Sequence, residues 1–471
     1  MDASLSFTAD GIRGKVGVMP LTERGCMRIG IALGNYLAES NLPLQVIMGM
    51  DTRPSSTKIF RWIKDGLLLR DVSTYDLGVI TTPGLAYHVR NSEVVSLGIM
   101  ITASHNPVEF NGVKLLGDRG QRLTDDAIHK IQKHFQYTYI DQHPILGIEN
   151  VRKHSFSFKA YIQEQIKLTG IGSLDGIKLA VDCSNGSASH VIPDALAQLG
   201  AIVIPLNQYS EGKLINHRCG TEYVRYFPKK FAERIQRMAV DYGIVFDGDA
   251  DRLVIVDKLG GFYNGDDMLF VLATILEQQG LFKKKCVVTS HMANSGLSQA
   301  LDMMGIKLIR TKNGDKHMEK LLFEENYLLA GEQFGNIIIH DDRHISADPF
   351  YALLYILKEI HDRNVTIQDL TQSLRKWPQF LMQISNRSKN TKADLPAQID
   401  TQIEAINHKS KVPVRTIQWS STTEPGLYNC MCETSPDYTF ENLKVDAQEL
   451  LSNLKKQGYL AHIIPLSERV Y

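Results

Sequence analysis

Residues 177–204 read IKLAVDCSNGSASHVIPDALAQLGAIVI, and this stretch indicates the fold class of the chain. An apolar strand leads into a turn of Ser, Asn and Gly. A helix follows with Ile192, Leu196 and Leu199 on one face, and then a second apolar strand. Gly200 can adopt the left-handed conformation that ends such a helix. This order of strand, helix and strand is typical of parallel α/β layers.

Two other stretches repeat the same order. Residues 44–70 start with LQVIMGMD and continue into an amphipathic helix, and residues 285–309 read KCVVTSHMANSGLSQALDMMGIKLI. After about residue 370 the pattern changes to short strands and one final helix. We therefore expect α/β architecture, with three related α/β domains that contain mixed sheets and a smaller α+β domain at the C-terminal end. The expected boundaries are 1–152, 153–257, 258–370 and 371–471.

Composition favours a small-molecule partner. The 471 residues are 43% apolar, which is enough for several cores, and 52 basic residues balance 52 acidic ones. Because no long run of one sign occurs, neither nucleic acid nor a membrane surface is an expected partner. The first residues lack the basic and apolar regions of a signal peptide, and no stretch approaches the roughly 18 apolar residues of a spanning helix. We expect a cytoplasmic protein.

The cysteines do not form a metal or disulfide pattern. Six of them are scattered through a long chain, which favours reduced thiols. Only one residue separates the last two, which is too close for zinc-type spacing. The six are Cys26, Cys183, Cys219, Cys286, Cys430 and Cys432.

The strongest chemical signal is GIVFDGDADRLVIVD at residues 243–257, where Asp247, Asp249 and Asp251 follow an apolar strand. Three carboxylates at one strand end repel one another unless a cation lies between them, and hard oxygen ligands favour Mg²⁺ or Ca²⁺. A calcium loop would need Gly and Glu where Arg252 and Lys258 stand. The alternative without a metal is a solvated acidic turn.

A second signal is GIMITASHNPVEFNGVKL at residues 98–115, in which a strand leads to Ser104. The Ser104 hydroxyl could be a nucleophile, a phosphate carrier or a helix N-cap, and taken alone the motif favours the cap. His105 by itself is equally consistent with a structural histidine. Lys114 is either a solvated lysine or an acid/base whose pKa is lowered by its surroundings.

Three further turns contain polar residues of the kind that bind sugar phosphates. In FTADGIRGK (7–15) Arg13 stands between two glycines, and a guanidinium suits a phosphate fork. In LLAGEQFGNIII (328–339) Glu332 could accept sugar hydroxyls. The hydroxyls of SSTTEPG (420–426) could hold a phosphate. Each of the three is also compatible with an ordinary surface turn.

Taken together and in this order, these motifs resemble those of the α-D-phosphohexomutase family, from Phe7 to about Glu433. TASHNP (102–107) and DGDADR (247–252) are specific as a pair. AYHVR (86–90), INHRCGTE (215–222) and NGDK (313–316) are similar to the branch that acts on glucosamine phosphates. The resemblance implies four domains around a central cleft. It also implies an enzyme that interconverts glucosamine 6-phosphate and glucosamine 1-phosphate.

The resemblance also implies residue roles. Ser104 would carry phosphate and, with the three aspartates, would be a ligand of one Mg²⁺ ion, and a sugar bisphosphate would act as activator. The catalytic group would comprise Ser104, Arg13, His105 and Lys114. The substrate-binding group would comprise Arg252, Lys316, Glu332, Ser421, Thr422 and Thr423. The expected assembly is a monomer or a homodimer.

The chain departs from the family pattern in the loops that recognise the substrate. Thr8 and Ala9 replace the usual Gly and Thr of the first loop. Ser and His of the sugar loop are replaced, and both arginines and a glycine of the phosphate loop are absent. Two lost phosphate forks would weaken binding by roughly a hundredfold or more. The residues now at these places are Phe334, Asn336, Trp419, Thr422 and Tyr428.

Other functions remain open at this point. The chain could prefer glucose or mannose phosphates, or it could bind a phosphosugar with little or no turnover. A phosphotransferase with an aspartyl nucleophile, using Asp247 and Asp249, is a different class of enzyme. That class would leave TASHNP unexplained.

Overall fold

The computed structural model describes residues 11–138, 151–152, 158–209, 211–341, 346–386, 399–401, 404, 414–420, 427–456 and 459–465. These residues form four sheets that follow one another along the chain. The expectation of three mixed α/β layers and a smaller α+β layer is confirmed. Among the described residues, no helix is both long and apolar enough to cross a membrane.

The first sheet has six strands in the order β1-β5-β4-β2-β3-β6. The central strands β4, β2 and β3 run parallel, and β5 is antiparallel to both β4 and β1. The elements are β1 Ile12–Lys15, α1 Glu23–Glu39, β2 Gln45–Met50, α2 Ser56–Leu68, β3 Ser73–Val79, α3 Thr82–Arg90, β4 Leu97–Ile101, β5 Phe110–Gly117, α4 Asp125–Tyr137 and β6 Val151–Arg152.

The second sheet has the order β11-β10-β9-β7-β8, with β8, β7 and β9 parallel. Its last strand ends at Tyr263, so this sheet continues past the expected boundary at residue 257. The elements are α5 Phe158–Thr169, β7 Lys178–Asp182, a 3₁₀ turn Ser187–His190, α6 Ile192–Gln198, β8 Ile202–Leu206, α7 Gly220–Tyr226, α8 Pro228–Met238, β9 Tyr242–Phe246, β10 Leu253–Asp257 and β11 Phe262–Tyr263.

The third sheet has the order β13-β12-β14-β15, with its first three strands parallel. The fourth, β17-β18-β16-β19, is wholly antiparallel. The elements are α9 Gly265–Gln278, β12 Cys286–Ser290, α10 Ser295–Met303, β13 Lys307–Thr311, α11 Asp315–Glu325, β14 Leu329–Gly331, β15 Ile337–Ile339, α12 Pro349–Arg363, α13 Ile367–Thr371, β16 Gln379–Asn386, β17 Val414–Ser420, β18 Leu427–Thr434, α14 Phe440–Lys456 and β19 Tyr459–Pro465.

Local sequence explains where the helices begin and end. Thr22 and Thr124 accept hydrogen bonds from the first turns of α1 and α4, and Asn264 forms a capping box with Asp267 at the start of α9. Gly200 and Gly305 follow α6 and α10 with φ of 95° and 69°, as expected for residues that end a helix. The six cysteines are buried free thiols.

The helices α1 and α2 approach each other through glycine. A Cβ atom on Gly66 would lie 2.1 Å from the carbonyl oxygen of Met27, and one on Gly30 would lie 2.2 Å from that of Ile63. Such distances are impossible for real atoms, so this contact requires glycine on both helices. The closely packed pair covers one face of the first sheet.

We expect Gly66→Ala to lower the free energy of unfolding by about 1–3 kcal/mol, because the added methyl group forces the two helices apart. Gly172→Ala is the matched control, since a Cβ there meets nothing within 4 Å, and we expect a change within about 0.5 kcal/mol. Urea unfolding of both variants measures the difference. Equal stabilities would show that the helix contact does not constrain residue 66.

Candidate functional site

The loop that carries Ser104 joins β4 to β5. Ser104 has φ of 50°, and its backbone N–H donates to Thr102 Oγ1 at 2.8 Å. The chain then continues into strand β5 at Phe110. No helix starts at this described loop, so the interpretation of Ser104 as a helix N-cap is wrong. The turn instead directs the Ser104 hydroxyl toward the second domain.

A buried arginine fixes the shape of this loop. Arg53 and Asp51 form an ion pair at 2.9 Å with both side chains fully buried. The Arg53 guanidinium also donates to four backbone carbonyl oxygens at 2.5–3.0 Å. One rigid guanidinium therefore holds both ends of the loop. The four carbonyl groups belong to Ser104, Asn106, Pro107 and Phe110.

The aspartate turn of the second domain meets the serine loop directly. Ser104 Oγ donates to Asp247 Oδ2 at 2.6 Å, and Asn216 Nδ2 donates to the Ser104 carbonyl oxygen at 2.7 Å. A Cβ on Gly248 would lie 2.6 Å from that same carbonyl oxygen. Glycine at position 248 is therefore needed for the two loops to approach this closely.

The three aspartates form one buried acidic cluster. One carboxylate oxygen from each of Asp247, Asp249 and Asp251 lies within 4.8 Å of the others. Lys114 Nζ lies 2.5 Å from an oxygen of both Asp249 and Asp251. Thr82 Oγ1 also donates to Asp249. The lysine balances part of the negative charge.

The pKa values reflect this crowding. Burial, together with the charges of Asp251 and Asp249, raises the pKa of Asp247 well above its usual value. Burial would also raise the pKa of Asp251, but Lys114 and Arg252 outweigh it and hold that pKa below its usual value. Burial lowers the pKa of Lys114, yet Asp249 and Asp251 raise it overall.

The cluster fits a divalent cation. Asp249 Oδ1 and Asp251 Oδ1 are buried and have no hydrogen-bond partner among the described residues. Buried polar atoms without partners are rare in folded proteins, and carboxylate oxygens are preferred ligands of hard cations. Asp247, Asp249 and Asp251 are therefore the residues that would hold a metal ion.

Positive side chains surround the serine. Arg13 Nη1 donates to Asn106 Oδ1 at 3.1 Å, and His105 Nδ1 lies 3.2 Å from Ser104 Oγ. Burial, followed by the charges of Arg252, Arg13, Arg225 and Lys114, lowers the pKa of His105 well below its usual value. His105 therefore lies beside the Ser104 hydroxyl with a pKa that disfavours its charged form.

The third domain contacts the aspartate turn through the loop between β14 and β15. The Leu253 N–H donates to the Gly335 carbonyl oxygen at 3.1 Å, and Asn336 Nδ2 donates to the Asp251 carbonyl oxygen at 3.0 Å. Asn336, which departs from the family pattern, therefore helps to position the aspartate turn. Glu332 is buried, and its Oε1 accepts from the Gly314 N–H at 2.7 Å.

Comparisons with known proteins agree with this arrangement. Three models of the phosphoglucomutase/phosphomannomutase alpha/beta/alpha domains match the chain: domain I at residues 4–139, domain II at 157–260 and domain III at 264–377. The chain belongs to this family. The phosphohexomutase resemblance is therefore confirmed, and the aspartyl-nucleophile alternative has no support.

Individual phosphohexomutases are similar over nearly the whole chain. Phosphoglucosamine mutase of Caldicellulosiruptor bescii is 33% identical over 96% of this chain and 99% of its own length. That of Fusobacterium nucleatum is 32% identical over 94% and 98%. A solved phosphoglucomutase/phosphomannomutase family protein of Burkholderia thailandensis has a TM-score of 0.76 at 22% identity, covering 97% of this chain and 99% of its own.

Two of the residues predicted to bind substrate form contacts with other parts of this phosphohexomutase. Lys316 Nζ donates to Asp125 Oδ1 at 2.5 Å, which ties α11 to α4. Arg252 Nη1 lies 3.7 Å from Glu222 Oε1, and its backbone N–H donates to Asp247 Oδ1 at 3.2 Å. Arg252 thus adjoins the aspartate turn, whereas Lys316 lies at the junction of the first and third domains.

The predicted phosphate loop, with Ser421, Thr422 and Thr423, lies outside the described residues, as do Thr8 and Ala9. Tyr428, one of the residues that depart from the family pattern, donates its hydroxyl hydrogen to Gln418 Oε1 at 2.7 Å. Phe334 and Trp419 pack against a single apolar cluster of the third and fourth domains. The buried members of that cluster are Met292, Leu381, Met431 and Ile464.

Sequence reasoning missed several residues that shape this phosphohexomutase site. Arg53, Asn216 and Thr82 all hold the serine loop or the aspartate turn. The sequence DTRP at residues 51–54 gives a weak signal for Arg53, because a charged pair directly after a parallel strand lies at the edge where ligands bind. Asn216 and Thr82 carry no such signal. Only the tertiary fold brings them to the site.

We expect Arg53→Met to lower the free energy of unfolding by about 3–5 kcal/mol, because Asp51 would remain buried without its partner. Turnover should fall as well, since four carbonyl groups of the serine loop lose their donor. Arg61→Met on α2 is the control, because the Arg61 side chain is 79% exposed, and it should change stability by less than about 0.5 kcal/mol. Urea unfolding and a turnover assay check both variants, and a fully stable, active Arg53→Met protein contradicts the assignment.

Proposed function

We propose that this chain is a phosphosugar mutase that interconverts glucosamine 6-phosphate and glucosamine 1-phosphate. The observation that supports it most strongly is the contact of Ser104 Oγ with Asp247 Oδ2 at 2.6 Å, at the edge of the aspartate cluster. The curated relatives at 32–33% identity are phosphoglucosamine mutases. Glucose and mannose phosphates are the alternative substrates.

Ser104 is proposed as the residue that carries the phosphoryl group. PhosphoSer104 transfers this group to the free hydroxyl at position 1 of glucosamine 6-phosphate, which yields the 1,6-bisphosphate. The P–Oγ bond breaks as the P–O bond to the sugar forms. The sugar hydroxyl loses a proton and Ser104 Oγ gains one. The bisphosphate then reorients in the cleft. Its 6-phosphoryl group is transferred to Ser104, and glucosamine 1-phosphate leaves.

The neighbouring groups stabilise this transfer. Phosphoryl transfer requires in-line geometry and balanced charge on the phosphoryl oxygens. Lys114 and Arg13 supply positive charge, and His105 Nδ1, 3.2 Å from Ser104 Oγ, is placed to exchange a proton with that oxygen. We assign Mg²⁺ to Asp247, Asp249, Asp251 and Ser104, and the ion would neutralise phosphoryl charge when bound.

The remaining assignments follow from the same mechanism. Arg252 adjoins the phosphoryl site, and Glu332 is proposed to accept sugar hydroxyls. Lys316 and residues 421–423 are proposed to contact the phosphosugar. When the bisphosphate intermediate leaves before its second transfer, Ser104 remains without phosphate. A trace of sugar bisphosphate then restores phosphoSer104 and so acts as activator. The protein is proposed to work in the cytoplasm as a monomer or homodimer.

We expect mass spectrometry of tryptic peptides from the purified protein to find phosphate on Ser104. Ser104→Ala should lack this mass and have no mutase turnover, whereas Ser92→Ala should retain both. An acid-labile acyl phosphate on Asp247, with Ser104 unmodified, contradicts the serine mechanism and supports an aspartyl nucleophile.

We expect the protein, given Mg²⁺ and a trace of sugar bisphosphate, to convert glucosamine 6-phosphate faster than glucose 6-phosphate or mannose 6-phosphate. Dialysis against a chelator should abolish turnover, and added Mg²⁺ should restore it. Parallel assays of the three sugars measure the preference. Binding of all three sugars without conversion would identify a phosphosugar-binding protein instead.

A further inference from the structure

The helix α7 brings a side chain into the cleft that none of the motifs includes. Arg225 pairs with Glu222 one helical turn earlier, and its side chain is 13% exposed. The centre of its guanidinium lies 4.9 Å from the ring centroid of Phe334, which belongs to the loop between β14 and β15. It lies equally far from the ring of Tyr226. Arg225 is therefore held between the second and third domains.

Arg225 shares its carboxylate partner with Arg252. The Glu222 carboxylate accepts from Arg225 and also lies 3.7 Å from Arg252 Nη1. One carboxylate therefore serves two guanidinium groups.

Arg225 retains hydrogen-bonding capacity. Its Nε and Nη1 atoms are buried without a hydrogen-bond partner among the described residues, and so is Thr221 Oγ1 on the same helix. A buried charged donor without a partner is costly, so such groups normally face a ligand or ordered water. Guanidinium donors in a fork, beside a threonine hydroxyl, suit a phosphate group.

Phe334 controls access to these donors. The cavity that Arg225 shares with Thr221 and Phe334 has a free volume of about 10 Å³, which is room for about one water molecule. Phe334 also packs against the apolar cluster formed with β16 and β18 of the fourth domain. A rotation of the fourth domain away from the third would release this ring and open the space beside Arg225.

Two cations of the third and fourth domains are already engaged. Arg415 pairs with Glu433 at 2.8 Å and donates to the His291 and Ala293 carbonyl oxygens. Lys376 pairs with Asp267. The family pattern expects two arginines where this chain has Trp419 and Tyr428. The fourth-domain strands β17 and β18 therefore lack both guanidinium forks.

We propose that Arg225, oriented by Glu222, binds the phosphate of the phosphosugar that is not being transferred. Thr221 adds a hydroxyl contact to the same phosphate. This assignment depends on the proposed mutase function, because only a bound phosphosugar presents a second phosphate while the first reacts at Ser104. It adds a contact from the second domain to those proposed for residues 421–423.

The test compares Arg225→Gln with the unchanged protein in mutase assays and in calorimetric titrations with glucosamine 6-phosphate and with glucosamine. We expect KM and the dissociation constant for glucosamine 6-phosphate to rise about 10- to 100-fold, the effect of losing one charge-assisted phosphate contact. We expect kcat to change little and any binding of unphosphorylated glucosamine to stay the same. Arg225→Lys should give an intermediate KM, because it retains the charge but loses the fork.

Arg237→Gln on α8 is the matched control, since Arg237 is an exposed arginine in a comparable pair with Glu233, and it should leave KM unchanged. An unchanged KM in Arg225→Gln overturns the proposal, as does a fall in thermal stability or kcat alone. Phosphate on Ser104 and normal turnover in the unchanged protein separate that failure from failure of the mutase function.

Discussion

The contact between the serine loop and the aspartate turn is the constraint on which the rest of the site depends. Three buried carboxylates repel one another, and at close range in a protein interior this repulsion is large. Lys114 on β5 offsets part of it, and Ser104 donates its hydroxyl hydrogen to Asp247. The first domain therefore supplies positive and hydrogen-bonding groups to the turn of the second domain.

Each of the first three domains contributes backbone as well as side chains to this centre. Arg53 holds the serine loop by its carbonyl groups, and Gly248 lets the two turns come together without a Cβ in the way. Asn336 of the third domain then fixes the Asp251 carbonyl group. Hydrogen bonds to carbonyl oxygens do not depend on which side chains a loop carries.

Much of the fold could be predicted from the sequence because its signals are local. The three strand-helix-strand stretches, with glycines ending α6 and α10, are visible in consecutive residues. The aspartate turn was identifiable because its three carboxylates stand within five positions of one another. Ser104 was not interpretable from its neighbours alone, since a hydroxyl after a strand fits a helix cap equally well. DTRP gives only a weak signal for Arg53, and Arg225 acquires its position from a distant loop, which no spacing in the sequence reveals.

The altered recognition loops have a common physical consequence. Phe334 and Trp419 replace residues that would bind sugar or phosphate, and both pack against the same apolar cluster between the third and fourth domains. Burying aromatic surface there stabilises the closed arrangement, in which Ser104 has no exposed surface. A phosphosugar reaches the serine only when this arrangement opens, so binding must offset the lost apolar contacts. The proposed phosphate contact of Arg225 lies at this junction, because the Arg225 guanidinium packs against the Phe334 ring.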